Sequence, residues 1–192
     1  MKNQKFLILV FFILFSFILS GNLYSIEPGD KAKDFKVVNF DGKTYQLSDQ
    51  KDAAAIVIMF WSTECPFVQA YNDRVVSLVN AYQSKNVVFW GINSNNTESI
   101  DRIQEHYADK KYNFPMIKDK NNAIADMFEA TRTPEVFVLD KNLTVLYHGR
   151  IDDSRVPDEV KSTDLKNALD EILSGKEVSG KITKQFGCTI KR

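Results

Sequence analysis

The amino-acid sequence predicts an α/β domain: a mixed central sheet flanked by helices, with an N-terminal β-hairpin. Three observations carry this. The run Ala55–Trp61 is made of β-formers without a charge, and Val87–Asn93 repeats that character, so each reads as a buried strand. Segments with helical spacing follow both. A last pair of apolar runs, Glu135–Leu139 and 145–147, is joined by the turn residues Asp140, Lys141 and Asn142 and adds an antiparallel hairpin.

The elements follow in order. Residues 1–25 read as an export signal: Lys2 and Lys5 are basic, 6–19 are apolar, and Ser20, Gly21 and Ser25 offer small residues near a cleavage point. The apolar stretch is shorter than the ~20 residues that span a bilayer, and an uncleaved N-terminal anchor stays open beside the cleaved signal. The mature chain is therefore expected outside the cytoplasm, in a periplasm or cell envelope, with no stable membrane span once the signal is cleaved. The rest has the size of one domain, 26–175, followed by a tail, 176–192. After an irregular lead-in, two alternating runs meet at Asp41-Gly42, a strong hairpin signal. Pro66 sits where a helix would begin, and Phe67, Tyr71, Val75, Leu78 and Tyr82 give it one apolar face. Polar residues 94–97 are expected to cap a helix bearing Glu98, Ile100, Ile103 and Tyr107. A short strand in "NFPMIKD" and a short helix in "NNAIADMFEA" precede the final hairpin. The last helix, 165–174, ends at Gly175 as a C-cap. The tail has no helical period.

Cys65 is the residue to which this order points. It lies between a buried strand and a helix start, at the carboxyl end of a parallel strand, where sites form in such sheets. A helix N-terminus stabilises a thiolate and lowers its pKa. Glu64, next to it, is a negative charge that works the other way. Trp61, Ser62, Thr63 and Glu64 are expected to rim the site, with Asn93 and Ser94 at the neighbouring strand end.

"FWSTECPFV" resembles the thioredoxin active-site segment, with Cys65 at the first Cys-x-x-Cys position and Val68 at the second. "TRTPEVFVLDKNLTVLYHG" is similar to the thioredoxin Thr-Pro segment. Together with "GRIDD" at 149–153 and the terminal "GC-x-IK", these motifs resemble the peroxiredoxin-like thioredoxin family proteins, which carry an AhpC/TSA-type redoxin domain and one active-site cysteine. The resemblance implies a thioredoxin-like fold and a cis bond before Pro134, facing Cys65. It also implies that Thr133 presents backbone groups to an extended peptide, and that Arg150, Asp152 and Asp153 lie near the active-site edge. Arg132 is a further candidate partner for the thiolate.

The function expected first is a thiol-disulfide oxidoreductase. Cys65 is the nucleophile and Cys188, in a tail that could be mobile, the resolving thiol. A static disulfide and a free or intermolecular Cys188 stay open beside it. The partners are protein or small-molecule thiols and disulfides, with an unidentified electron donor. A peroxidase comes second, because peroxiredoxins use Pro-x-x-x-Thr-x-x-Cys where this chain has Ile58 and Ser62. A copper carrier lacks its second cysteine at Gln69 and its histidine near Thr133. A redox-inert binding module on the same fold is the non-enzymatic alternative. Basic and acidic residues number 25 each, so no nucleic-acid partner is expected. The two cysteines are too far apart for a local zinc site, and no cofactor or metal is expected. His106 is expected at a solvent-exposed position and His148 at a strand end.

Overall fold

The computed structural model describes residues 26–192; the export signal read at 1–25 lies outside the described residues. The central sheet has the order β5-β4-β3-β7-β8. Strands β3 (Ala55–Trp61), β4 (Val87–Asn93) and β5 (Met116–Lys118) are parallel. Strands β7 (Glu135–Leu139) and β8 (Val145–Gly149) continue the sheet antiparallel. The hairpin of β1 (Lys36–Val38) and β2 (Thr44–Gln46) pairs Lys36 with Gln46 and turns through Gly42, whose φ of 76° favours glycine.

Every residue of β3 is buried, because the strand feeds two cores at once. Ala55, Val57, Met59 and Trp61 face helices α1 (Pro66–Gln83), α2 (Ile100–Asp109) and α4 (Asp164–Leu173). Ile56, Ile58 and Phe60 face α3 (Ala123–Phe128), Phe35 and Leu47. A strand covered on both sides reads as continuous rather than alternating hydrophobicity, which is why this run stands out in the sequence. Leu165 and Leu169 of α4 are likewise buried against the α1 side of the sheet.

Several expectations need correction. The buried stripe of α1 is Val68, Tyr71, Asn72, Val75, Val79 and Tyr82, so Phe67 and Leu78 flank it and are only partly covered. Helix α2 starts later than expected. Its N-cap is Ser99, whose hydroxyl accepts from the Arg102 N–H at 3.2 Å, which leaves Glu98 in the preceding turn and Ile100 exposed. His106 is buried, with Nε2 3.2 Å from the Tyr112 hydroxyl. It sits on the inward edge of α2, a placement a polar helix sequence does not reveal. His148 is also buried. It stacks on Phe137 with ring centroids 4.1 Å apart, and its Nε2 lies 2.8 Å from Glu135 Oε1.

The tail is the largest departure. It is seated along the protein. His148 exchanges backbone hydrogen bonds with Lys181 and Thr183. Phe186 packs edge-on against Phe67. Strand β9 (Cys188–Thr189) pairs antiparallel with β6 (Arg132–Thr133), and Ile190 is buried in the α3-side core. Arg192 closes the strap on Asp126 and the Ala130 carbonyl. No helix among the described residues is long and apolar enough to cross a membrane.

Candidate active site

Cys65 is the N-cap of the 18-residue helix α1, and Pro66 takes its first position, where a missing N–H costs nothing. Cys65 is joined to Cys188 as a disulfide, with Cα atoms 5.9 Å apart. The second cysteine comes from β9. Thr133 is paired with Cys188 across the two-stranded ladder, and its carbonyl oxygen lies 3.2 Å from the Cys65 sulfur. The Thr133–Pro134 peptide bond is cis. One short strand thus lies against both halves of the disulfide. Gly187, with φ of 154°, lets the tail reach it, because a Cβ there would collide with the Thr133 carbonyl.

The turn before Cys65 is covered, not an open rim. Trp61, Ser62 and Thr63 are buried, and of the turn residues 61–64 only Glu64 is exposed. Trp61 donates its indole N–H to the Tyr112 hydroxyl at 2.9 Å. Ser62 accepts from the N–H groups of Glu64, at 3.2 Å, and Cys65, at 3.1 Å. The Thr133 hydroxyl is buried and has no hydrogen-bond partner among the described residues. Cys65 itself is 2% exposed under the tail, and Cys188 is half-buried.

Glu98 was not singled out by the sequence reading. Its buried carboxylate accepts from the hydroxyls of Ser62 and Thr63, the Thr63 N–H and the side-chain amides of Asn93 and Asn95. Burial pushes its pKa up, but the bonds from Ser62, Thr63 and Asn93 outweigh this and hold it below the ordinary glutamate value. A signal for it exists in "NSNNTES", a run of amide side chains around one acid just after a buried strand. Glu135 is a second such hub. It accepts from the Thr131 and Arg132 N–H groups and from Gln185 of the tail, with His148 on the same oxygen as Gln185.

Other expected residues serve elsewhere. The Arg150 guanidinium is paired with Asp164 at 2.6 Å, at the start of α4. Asp152 binds Arg74 and the Tyr71 hydroxyl, and Asp153 accepts from the Lys161 and Ser162 N–H groups. This cluster ties the loop after β8 to α1 and α4. Arg132 is exposed and donates to the Gly187 carbonyl at 3.2 Å, so it holds the tail next to the disulfide. Among the described residues no group of three or more His, Cys, Asp or Glu side chains is placed to hold a metal ion.

Known proteins share this frame. A hypothetical protein of Sinorhizobium meliloti 1021 superposes with a TM-score of 0.81 at 31% identity, over 88% of this chain and 96% of its own. An uncharacterized conserved protein from Geobacillus kaustophilus does so with a TM-score of 0.80 at 34% identity, over 87% and 93%. The thiol-disulfide oxidoreductase ResA of Geobacillus thermodenitrificans is 22% identical over 153 residues, 74% of this chain and 86% of ResA. Residues 28–148, from the lead-in through the buried strands to His148, match the AhpC/TSA family, and with its thioredoxin-like sheet and its cysteine at the start of α1 the chain belongs to that family.

Proposed function

We propose that this protein is an exported thiol-disulfide oxidoreductase that cycles between the Cys65–Cys188 disulfide and the dithiol. The observation that carries the reading is the joining of a helix-capping cysteine to a cysteine delivered by a strand of the same chain. The 22% likeness to an oxidoreductase supports it. The basic residues and apolar run within 1–25 support the location in the cell envelope.

In the dithiol form the positive end of α1 favours a thiolate on Cys65. That thiolate attacks one sulfur of a substrate disulfide, forms a mixed disulfide and releases the other sulfur as a thiolate. The Cys188 thiolate then attacks the Cys65 sulfur, closes the internal disulfide and expels the second substrate thiolate. The substrate gains two electrons, and the protein loses them. The reverse sequence oxidises a substrate dithiol. Because Cys65 is covered by the tail in the disulfide form, reaction with a bulky substrate requires Phe186 and β9 to lift from α1 and β6. Thr133 contributes a backbone edge that β9 vacates and a hydroxyl free to donate to a thiolate; Pro134 follows it as the site's rim.

The peroxidase reading has less support. The residue at the peroxiredoxin threonine position, Ser62, is buried and already engaged by Glu98 and two backbone N–H groups, which leaves nothing of it to hold a peroxide.

The test uses two variants with a disulfide substrate such as oxidised glutathione. Cys188→Ser is expected to accumulate a mixed disulfide on Cys65, read by mass, while Cys65→Ser forms none at that position and loses turnover. Equal loss of the first step in both variants would contradict the assigned roles.

A further inference from the structure

Glu98 takes no part in the thiol exchange just described, yet it is more fully hydrogen-bonded than any residue that does. It is 2% exposed and receives five donors. A carboxylate only accepts, and this fixes the polarity of everything around it. On one side the Ser62 hydroxyl must donate to Oε1, at 2.5 Å, so its lone pairs are left for the N–H groups of Glu64 and Cys65. On the other side the Asn95 amide must turn its NH₂ to Oε1, at 2.7 Å. Its carbonyl then faces the Lys191 N–H, also at 2.7 Å. The Asn96 N–H donates to the Lys191 carbonyl at 2.9 Å and completes a clamp on the tail, three residues past Cys188.

One carboxylate therefore lies two hydrogen bonds from the Cys65 amide and two from the tail at Lys191, just past β9. We infer that Glu98 is the positioning residue of the redox pair, setting the Cys65 turn through Ser62 and the Cys188 strand through Asn95. This rests on the thiol-disulfide reading above. The isosteric amide cannot replace it. A glutamine NH₂ in the place of Oε1 leaves the Ser62 hydrogen without an acceptor, or turns Asn95 so that its NH₂ opposes the Lys191 N–H. In the place of Oε2 it opposes the Thr63 N–H, which cannot reverse. A cation stands beside the cluster: the Lys118 ammonium donates to Asn93 Oδ1, which turns the Asn93 NH₂ toward Glu98, and to the main-chain carbonyl of Asn95.

The bland alternative is a buried ion that merely stabilises the fold. The two differ in what they do to the cysteines. The experiment equilibrates the full mature chain with reduced and oxidised glutathione, and separately alkylates the reduced protein at pH 7. Glu98→Gln is expected to lower the equilibrium constant for the Cys65–Cys188 disulfide by about tenfold or more, the order of loss that follows a small misplacement of reacting groups. Val79→Ala, a cavity in the core away from both cysteines, is the control and is expected to leave that constant within about twofold while lowering stability. The two arms separate. Asn95→Ala is expected to lower the disulfide constant with the Cys65 alkylation rate unchanged, and Ser62→Ala to change the alkylation rate.

Glu98→Gln with a wild-type constant, or Val79→Ala moving it as far, would overturn the inference. If Glu98→Gln does not fold, the Asn95 and Ser62 variants decide: both readouts unmoved in both variants would overturn it equally. A wild-type protein that forms no Cys65–Cys188 disulfide in the glutathione buffer would instead sink the oxidoreductase reading, and this inference with it.

Discussion

In the proposed exchange Cys65 draws its chemistry from its address, the residue just before a long helix, and that address is written in the sequence as a charge-free run, a three-residue turn and then Cys-Pro. The residues that support it are not written so plainly. Glu98 looks like an ordinary helix residue until the N-cap is found at Ser99. His106 looks like a surface residue until its ring is found against Tyr112, which in turn receives the Trp61 indole and donates to Asn72. Burial, together with the nearby Lys110 and Arg102 charges, lowers the His106 pKa below the ordinary value of 6.5. The folded protein then binds fewer protons here than the unfolded chain does. Stability from this group is full above pH 6.5 and falls as pH drops below it. Replacement His106→Gln is expected to flatten the loss of thermal stability as pH falls below about 6.5. A wild-type slope retained in that variant would show that another group causes it.

Strands β3, β4 and β7 were legible residue by residue and helix α1 by its start, because each has a local signature: continuous β-formers for a doubly covered strand, or proline at a helix start. The tail was not legible. Its order comes from partners far along the chain, namely Thr133, His148, Asn95 and Asp126, and no local period records them. Burial of Ile190 at 3% exposure makes the tail part of the core rather than an appendage. Ile190→Ala is accordingly expected to cost ~2–4 kcal/mol in denaturant unfolding. A mobile tail would give a change within about 0.5 kcal/mol, as exposed positions do. Amide exchange offers a second check. Reduction is expected to speed exchange at the Ile190 N–H, which the Thr131 carbonyl holds, since the covalent tie to Cys65 is gone, while β3 and β4 stay protected. Unchanged exchange at the tail would mean that β9 does not lift on reduction, and that substrates reach Cys65 by another route.

For the molecule as a whole, the disulfide connects the first buried strand's exit to the chain's end across a sequence separation of 123. Closing a loop of that size restricts the unfolded chain by roughly 4–5 kcal/mol in the chain-entropy account, so redox state and stability are linked. In the proposed cycle the non-covalent contacts of the tail return Cys188 to Cys65 after β9 has lifted, which raises the effective concentration of one thiol at the other. The most direct measurement is a mass analysis of the fully reduced mature protein after oxidation by glutathione. The expected product has lost two hydrogens and yields one cross-linked peptide joining Cys65 to Cys188. A stable glutathione adduct on Cys65 with a free Cys188, or two unreacted thiols, would contradict the redox pair.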